Sequence, residues 1–130
     1  MLINILYMLI NLSNHPFKEW DAFQKNTAIS LYGEVIDIPF PDAPPEASSS
    51  EVEKMADEYL GKIKTITKNN DAVVHIMGEM TFCYALIQKL QKENIKCVAS
   101  TTKRKVRVLP TGERAIDFDF VQFREYTNIK

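Results

Sequence analysis

Cysteine is scarce. Cys83 and Cys97 are the only two in 130 residues, and they form neither a C-x-x-C ligand pair nor the framework of a disulfide-stapled domain. A reduced, cytoplasmic protein is the plain expectation. An excess of one charge sign is missing too: 16 Lys and Arg against 17 Asp and Glu leave a net charge of -1. No global field therefore draws the chain to duplex nucleic acid or to a membrane, and an anionic partner must be held by a local patch. The apolar start "MLINILYMLINLS" is too short to span a bilayer and lacks the basic n-region and small-residue cleavage site of a signal peptide, so it reads as a buried strand. Its "MLIN" stands at Met1–Asn4 and again at Met8–Asn11, which makes Met8 an alternative start. There is no G-x-S-x-G, no Walker loop and no G-x-G-x-x-G, so the common hydrolase and dinucleotide signatures are absent.

What is there fits one domain over residues 1–130, with 45% hydrophobic and 25% charged residues. "YMLINL", Tyr7 to Leu12, is apolar without strict alternation, as in a central strand covered on both faces. The turn-formers of "SNHP" follow, and Phe17, Trp20 and Phe23 or Gln24 are spaced as a helix from Phe17 to about Ala28. "EVIDI", Glu34 to Ile38, predicts a second strand, and the Pro- and Ser-rich Pro39 to Ser49 a long loop able to act as a lid. Apolar positions from Val52 to Ile66 recur near a 3.6-residue period, with Ser50 and Glu53 spaced as a capping box. After "KNND", the pattern predicts a strand over Ala72 to Met77, a helix from Thr81 to Glu93 and a strand over Ile95 to Ala99. Helical crossovers force parallel strands. "KVRVLPTGERAIDFDF" alternates about a turn and predicts a closing antiparallel hairpin. Ile116, Phe118 and Phe120 share one face while Val121 and Phe123 fall on the other, so a bulge or two-sided burial is needed near Phe120.

In such a sheet ligands bind at the carboxyl ends of the strands, where the strand order reverses. With the first strand between the second and third, that point gathers three polar stretches: Ser13, Asn14 and His15; Gly78, Glu79, Met80 and Thr81; and a turn of Ser100, Thr101, Thr102, Lys103 and Arg104. Gly78 would let a ligand approach the backbone, and Thr81 with the first N–H groups of its helix would hold an anion or a polar base. Glu79 competes with phosphate there and suits a ribose hydroxyl, a base amino group or proton transfer, or is an ordinary N-terminal helix acid. The hydroxyls of Ser100 to Thr102 beside Lys103 and Arg104 suit phosphodiester oxygens, or the two cations are solvated hairpin charges. His15 could act as acid or base, or brace its own turn. His75, inside an apolar strand, reads as a core residue, and Asp117 and Asp119 read as the wet face of a strand, without the partners of a metal site. No metal and no cofactor is expected.

"LINLSNHP", "HIMGEMTFCYALIQKL", "CVASTTKR" and "FVQFREY" together make the chain similar to the small Rossmann-like proteins of type III CRISPR loci, which look like stand-alone versions of the CARF (CRISPR-associated Rossmann-fold) ligand-binding domain and include ring nucleases. The resemblance implies a Rossmann-like three-layer α/β sandwich with a parallel central sheet. It implies a symmetric homodimer that binds cyclic oligoadenylate across its two-fold axis and cleaves it without metal, a ribose 2′-hydroxyl attacking the adjacent phosphate. His15, Glu79 and Arg104 would then be catalytic, and Ser13, Asn14, Gly78, Met80, Thr81, Ser100, Thr101, Thr102 and Lys103 would bind ligand. Three alternatives stay open: a non-catalytic sensor or sink for the same ligand, a deoxyribosyltransferase-like enzyme with Glu79 as nucleophile, and an interaction module using the loop "PFPDAPPEASSS".

Overall fold

The computed structural model describes residues 7–67 and 71–129. The first "MLIN" and most of the "KNND" link lie outside the described residues, and the alternative start, Met8, lies within β1. Strands β1 (Tyr7–Ser13), β2 (Val35–Asp37), β3 (Asp71–Met77), β4 (Lys96–Val108) and β5 (Arg114–Glu125) form one sheet in the order β2-β1-β3-β4-β5. β1 to β4 run parallel and β5 is antiparallel to β4. The order reverses between β1 and β3, as expected, so the connections that leave their carboxyl ends run to opposite faces of the sheet.

Alternate residues of each central strand enter different clusters, which is the period of two expected of a sheet buried on both faces. Met8, Ile10 and Leu12 of β1, Val74 and Ile76 of β3 and Cys97 of β4 pack with Val52, Ala56 and Ile63 of α2 (Ser49–Thr67) and Phe82, Leu86 and Leu90 of α3 (Met80–Lys92). Leu9 and Val98 pack with Trp20 and with Ala28 of α1 (Ala22–Tyr32). Among the described residues no helix is long and apolar enough to cross a membrane.

Several elements depart from the sequence reading, each for a local reason. The expected first helix splits: Phe17–Glu19 is a single 3-10 turn, and Asp21, whose carboxylate accepts from Gln24 N–H at 2.7 Å, starts α1 afresh at Ala22. Gly33, at φ 85°, ends it, a conformation that costs glycine no Cβ clash. The capping box of α2 is Ser48 with Glu51, not Ser50 with Glu53: Glu51 N–H donates to Ser48 Oγ at 3.2 Å and Ser48 N–H to Glu51 Oε1 at 3.3 Å. Glu53 is left to meet Lys89.

The larger correction concerns Ser100 to Arg104. They form no turn, because β4 runs through them without a break to Val108 and becomes the first arm of the hairpin. Thr101 pairs with Gln122 and Thr102 with Phe120, so Val121 is an extra residue on β5, the bulge that the alternation required. By resetting the pleat it returns Phe123 to the face of Phe120, and the two rings lie 4.9 Å apart.

The long loop is anchored by Phe40, whose ring meets Phe82 edge-on at 5.3 Å. It occupies the space over Gly78, where a Cβ would come within 2.7 Å of three ring atoms. Gly78 therefore makes room for the chain's own loop. We expect Gly78→Ala to cost about 1–3 kcal/mol by overpacking. Urea unfolding of the single and double variants should show that cost largely disappear in a Phe40→Ala background, and simple additivity would contradict the contact.

Candidate functional site

At the carboxyl ends of β1 and β3, beside the middle of β4, lies a cleft of about 500 Å³. Ser13, Asn14 and His15 line one side, Ser100 and Thr102 the other, with His75 and Met77 between them and Trp20, Phe118 and Phe120 around. Three of the expected stretches were to meet here, and the structure joins two. Glu79, Met80 and Thr81 line a separate concavity with Pro44, Ala47 and Val52.

The cleft's floor is a hydrogen-bonded chain whose polarity is fixed from Asn11 through His75 to Ser100. Asn11, 1% exposed, donates through Nδ2 to His15 C=O at 2.9 Å and to Asp37 Oδ1 at 2.9 Å. A carbonyl and a carboxylate accept only, so the amide cannot be turned round and Asn11 Oδ1 must be an acceptor. Ser13 Oγ donates to that oxygen at 2.8 Å. His75 Nδ1 sits 2.8 Å from it and therefore carries the ring hydrogen. His75 Nε2 is then bare, and Ser100 Oγ, 3.1 Å away, donates to it. Met77 Sδ is equally close to Ser100 Oγ at 3.1 Å, but a thioether is the weaker acceptor.

Burial lowers the His75 pKa to about 4, and the neighbouring His15 adds to the effect. The ring is held edge-on against Trp20 at 5.4 Å and Phe123 at 5.5 Å. The turn above is built on its backbone: His15 C=O also accepts from Trp20 Nε1 at 3.0 Å, and Asp37 accepts from Phe17 N–H at 3.1 Å. The exposed His15 and Asn14 side chains are left facing the cleft.

The other expected site residues have settled roles. Glu79 is the N-cap of α3, accepting from Thr81 Oγ1 at 2.5 Å, Thr81 N–H at 3.0 Å and Phe82 N–H at 2.9 Å. Those bonds, the Thr81 hydroxyl first, hold its carboxyl below the usual range. Met80 is 81% exposed. Because β4 is a strand, its residues alternate. Ser100 and Thr102 face the cleft, and Arg104, directly opposite Phe118, continues on their face. Thr101, whose hydroxyl donates to Gln122 C=O at 3.3 Å, and Lys103, opposite Asp119, lie on the other face. There Lys105 and Arg107 pair with Asp119 and Asp117. Arg104 has no ion pair among the described residues.

Among the described residues no group of three or more His, Cys, Asp and Glu is placed to hold a metal ion. Burial pushes the Cys83 thiol up to about 11 and Cys97 to about 12, so neither is a thiolate near neutral pH. The arrangement can accept hydrogen bonds at Ser100, donate and accept at Ser13, Asn14, His15 and Thr102, and stack a ring on the exposed Phe118.

Sequence reasoning did not single out Asn11, and its reading of His75 as a satisfied core residue holds, the ring being 2% exposed with both nitrogens bonded. Both lie within apolar strands, and the signal that joins them is register: Asn11 of β1 stands directly beside His75 of β3. A histidine held at a pKa of about 4 against 6.5 in the unfolded chain binds its proton only when unfolded. Its stabilising share is thus full above pH 6.5 and is lost as pH falls toward 4, by an amount on the order of 3 kcal/mol. Unfolding measured across that window should show this slope in the wild type and not in His75→Gln. Equal slopes would contradict a neutral buried imidazole. Loss of the Glu79 cap belongs to lower pH, below its ordinary value of 4.5.

No curated protein and no solved structure matches the chain. The model of the uncharacterized protein MJ1673 family matches residues 7–124. That span runs from the first residue of β1 to the last but one of β5 and takes in every element around the cleft, and the chain belongs to the MJ1673 family.

Proposed function

We propose that the protein binds a cyclic oligoadenylate at the carboxyl-end cleft and cleaves it without a metal, a ribose 2′-hydroxyl attacking the adjacent phosphate, as part of type III CRISPR signalling. The domain is taken to be a Rossmann-like three-layer sandwich, working as a symmetric homodimer so that two clefts share one ring. The observation that carries the reading is the single cleft in which Ser13, Asn14, His15, Ser100 and Thr102 converge on His75. Its volume, about 500 Å³, lies in the range of roughly 300–1,000 Å³ usual for small-molecule sites.

Each part has a task suited to a nucleotide. Hydroxyls and the Asn14 amide address ribose and base edges, and Phe118, 62% exposed, offers a face for stacking. Arg104, on that face and without an ion pair among the described residues, is the cation for phosphate. Lys103, on the opposite face, drops out of this role, and Glu79, engaged in three hydrogen bonds as a helix cap, drops out of proton transfer. The same engagement removes support from the glycosyl-transfer alternative, which needs Glu79 as a free nucleophile.

Incubation with cyclic tetra- and hexa-adenylate in EDTA, followed by chromatography, should yield linear products with cyclic phosphate ends. Arg104→Ala should weaken binding roughly 10- to 100-fold, the worth of a hydrogen bond to a charged group, while Lys103→Ala changes it little. Binding without cleavage would mark a sensor or sink. Absence of both binding and cleavage would overturn the proposal.

A further inference from the structure

We propose that Asn11, His75 and Ser100 form a proton relay, with Ser100 Oγ as the group that takes the proton of the attacking 2′-hydroxyl. The inference rests on the cleavage reading above and assigns the chemistry to residues other than those the sequence suggested. It stands on geometry: Asn11 Oδ1 is 2.8 Å from His75 Nδ1, and His75 Nε2 is 3.1 Å from Ser100 Oγ, which lines the cleft.

The direction of the relay follows from its anchor. Asp37 and His15 C=O take both Asn11 amide hydrogens, so Asn11 takes the His75 Nδ1 hydrogen and His75 takes the Ser100 hydrogen. The oxygen lone pairs of Ser100 are then free for a donor in the cleft. This is the arrangement in which a serine oxygen is made basic by a histidine that a third group orients. When the substrate 2′-hydroxyl donates to Ser100 Oγ, its proton passes to Ser100 as the Ser100 proton passes to His75 Nε2. The 2′-oxygen forms a bond to phosphorus, and the bond from phosphorus to the 5′-oxygen breaks. The departing 5′-oxygen takes a proton from solvent, and the extra proton on His75 Nε2 passes back to Ser100 Oγ as the Ser100 proton leaves to solvent in the cleft, leaving a 2′,3′-cyclic phosphate and a 5′-hydroxyl. Serine is regenerated and no covalent adduct with the protein forms. In this scheme Ser100 touches the substrate, and Asn11 and His75 act through it.

The test is single-turnover cleavage of cyclic tetra- and hexa-adenylate, with separate measurement of binding, for wild type, Ser100→Ala and Ser100→Thr. Ser100 is only partly buried, and thermal unfolding of each variant checks the fold, since Ser100→Ala leaves His75 Nε2 without its donor. We expect Ser100→Ala to slow cleavage on the order of 100-fold. Affinity should stay within about threefold, and Ser100→Thr, which keeps the hydroxyl, should recover much of the rate. Equal rates for wild type and Ser100→Ala overturn the relay and leave the proposed function standing. So does a loss in Ser100→Ala that lies wholly in binding. Wild-type binding without cleavage overturns the relay and keeps the ligand, whereas absence of wild-type binding overturns the proposed function and the relay with it.

Discussion

The side chain of Asn11 holds the cleft end of the molecule together. From the middle of a buried strand its amide reaches the β1 turn through His15 C=O, the end of β2 through Asp37 and the neighbouring strand through His75. A buried amide left partly unpaired costs about 1–3 kcal/mol for each missing bond, so these partners define one another's positions. No buried side-chain nitrogen or oxygen among the described residues lacks a partner, which is the condition under which a polar network rigidifies a core. Asp37 extends the effect by taking Phe17 N–H, and Trp20 by donating to the same His15 carbonyl. The turn that presents Asn14 and His15 is therefore fixed from beneath.

A second constraint comes from β4. Because it continues as a strand, a row of hydroxyls and cations that would surround a ligand as a turn is sorted onto two faces, leaving Ser100 and Thr102 lining the cleft, Arg104 further along their face, and Lys103 on the ion-paired face of the hairpin. The Val121 bulge keeps the aromatic side continuous from Phe118 through Phe120 to Phe123, where it packs on Trp20 and the His75 ring. β4 thus supplies a cleft-facing hydroxyl, and its partner β5 supplies part of the apolar wall that keeps His75 neutral.

Much of this architecture was legible in the residues. Alternating helical and apolar segments predicted the parallel sheet and its switch point, and the clash of parity called for a bulge or two-sided burial near Phe120, which the structure meets with a bulge at Val121. The helix break at Trp20 was hidden because Phe17 and Trp20 happen to fall at helical spacing, and the Asp21 cap decides against it. Ser-Thr-Thr-Lys-Arg looks like a turn by composition, but threonine suits a pleated strand and the β5 partner extends the pairing. The α3 cap is a case of two readings of one glutamate, settled by three short hydrogen bonds. What the chain could not display was the pairing of one asparagine with one histidine 64 positions away, since register is a property of the folded sheet.

The polarity of that pairing is the central claim, and nitrogen-15 NMR of the His75 imidazole tests it most directly. With a pKa near 4, the ring should carry its hydrogen on Nδ1 and show a bare Nε2, unchanged from about pH 8 to about pH 5. A ring protonated at Nε2 alone, or one that becomes an imidazolium near pH 6.5, would contradict the account, because Asn11 would then not be the acceptor and Ser100 not the donor at the floor of the cleft.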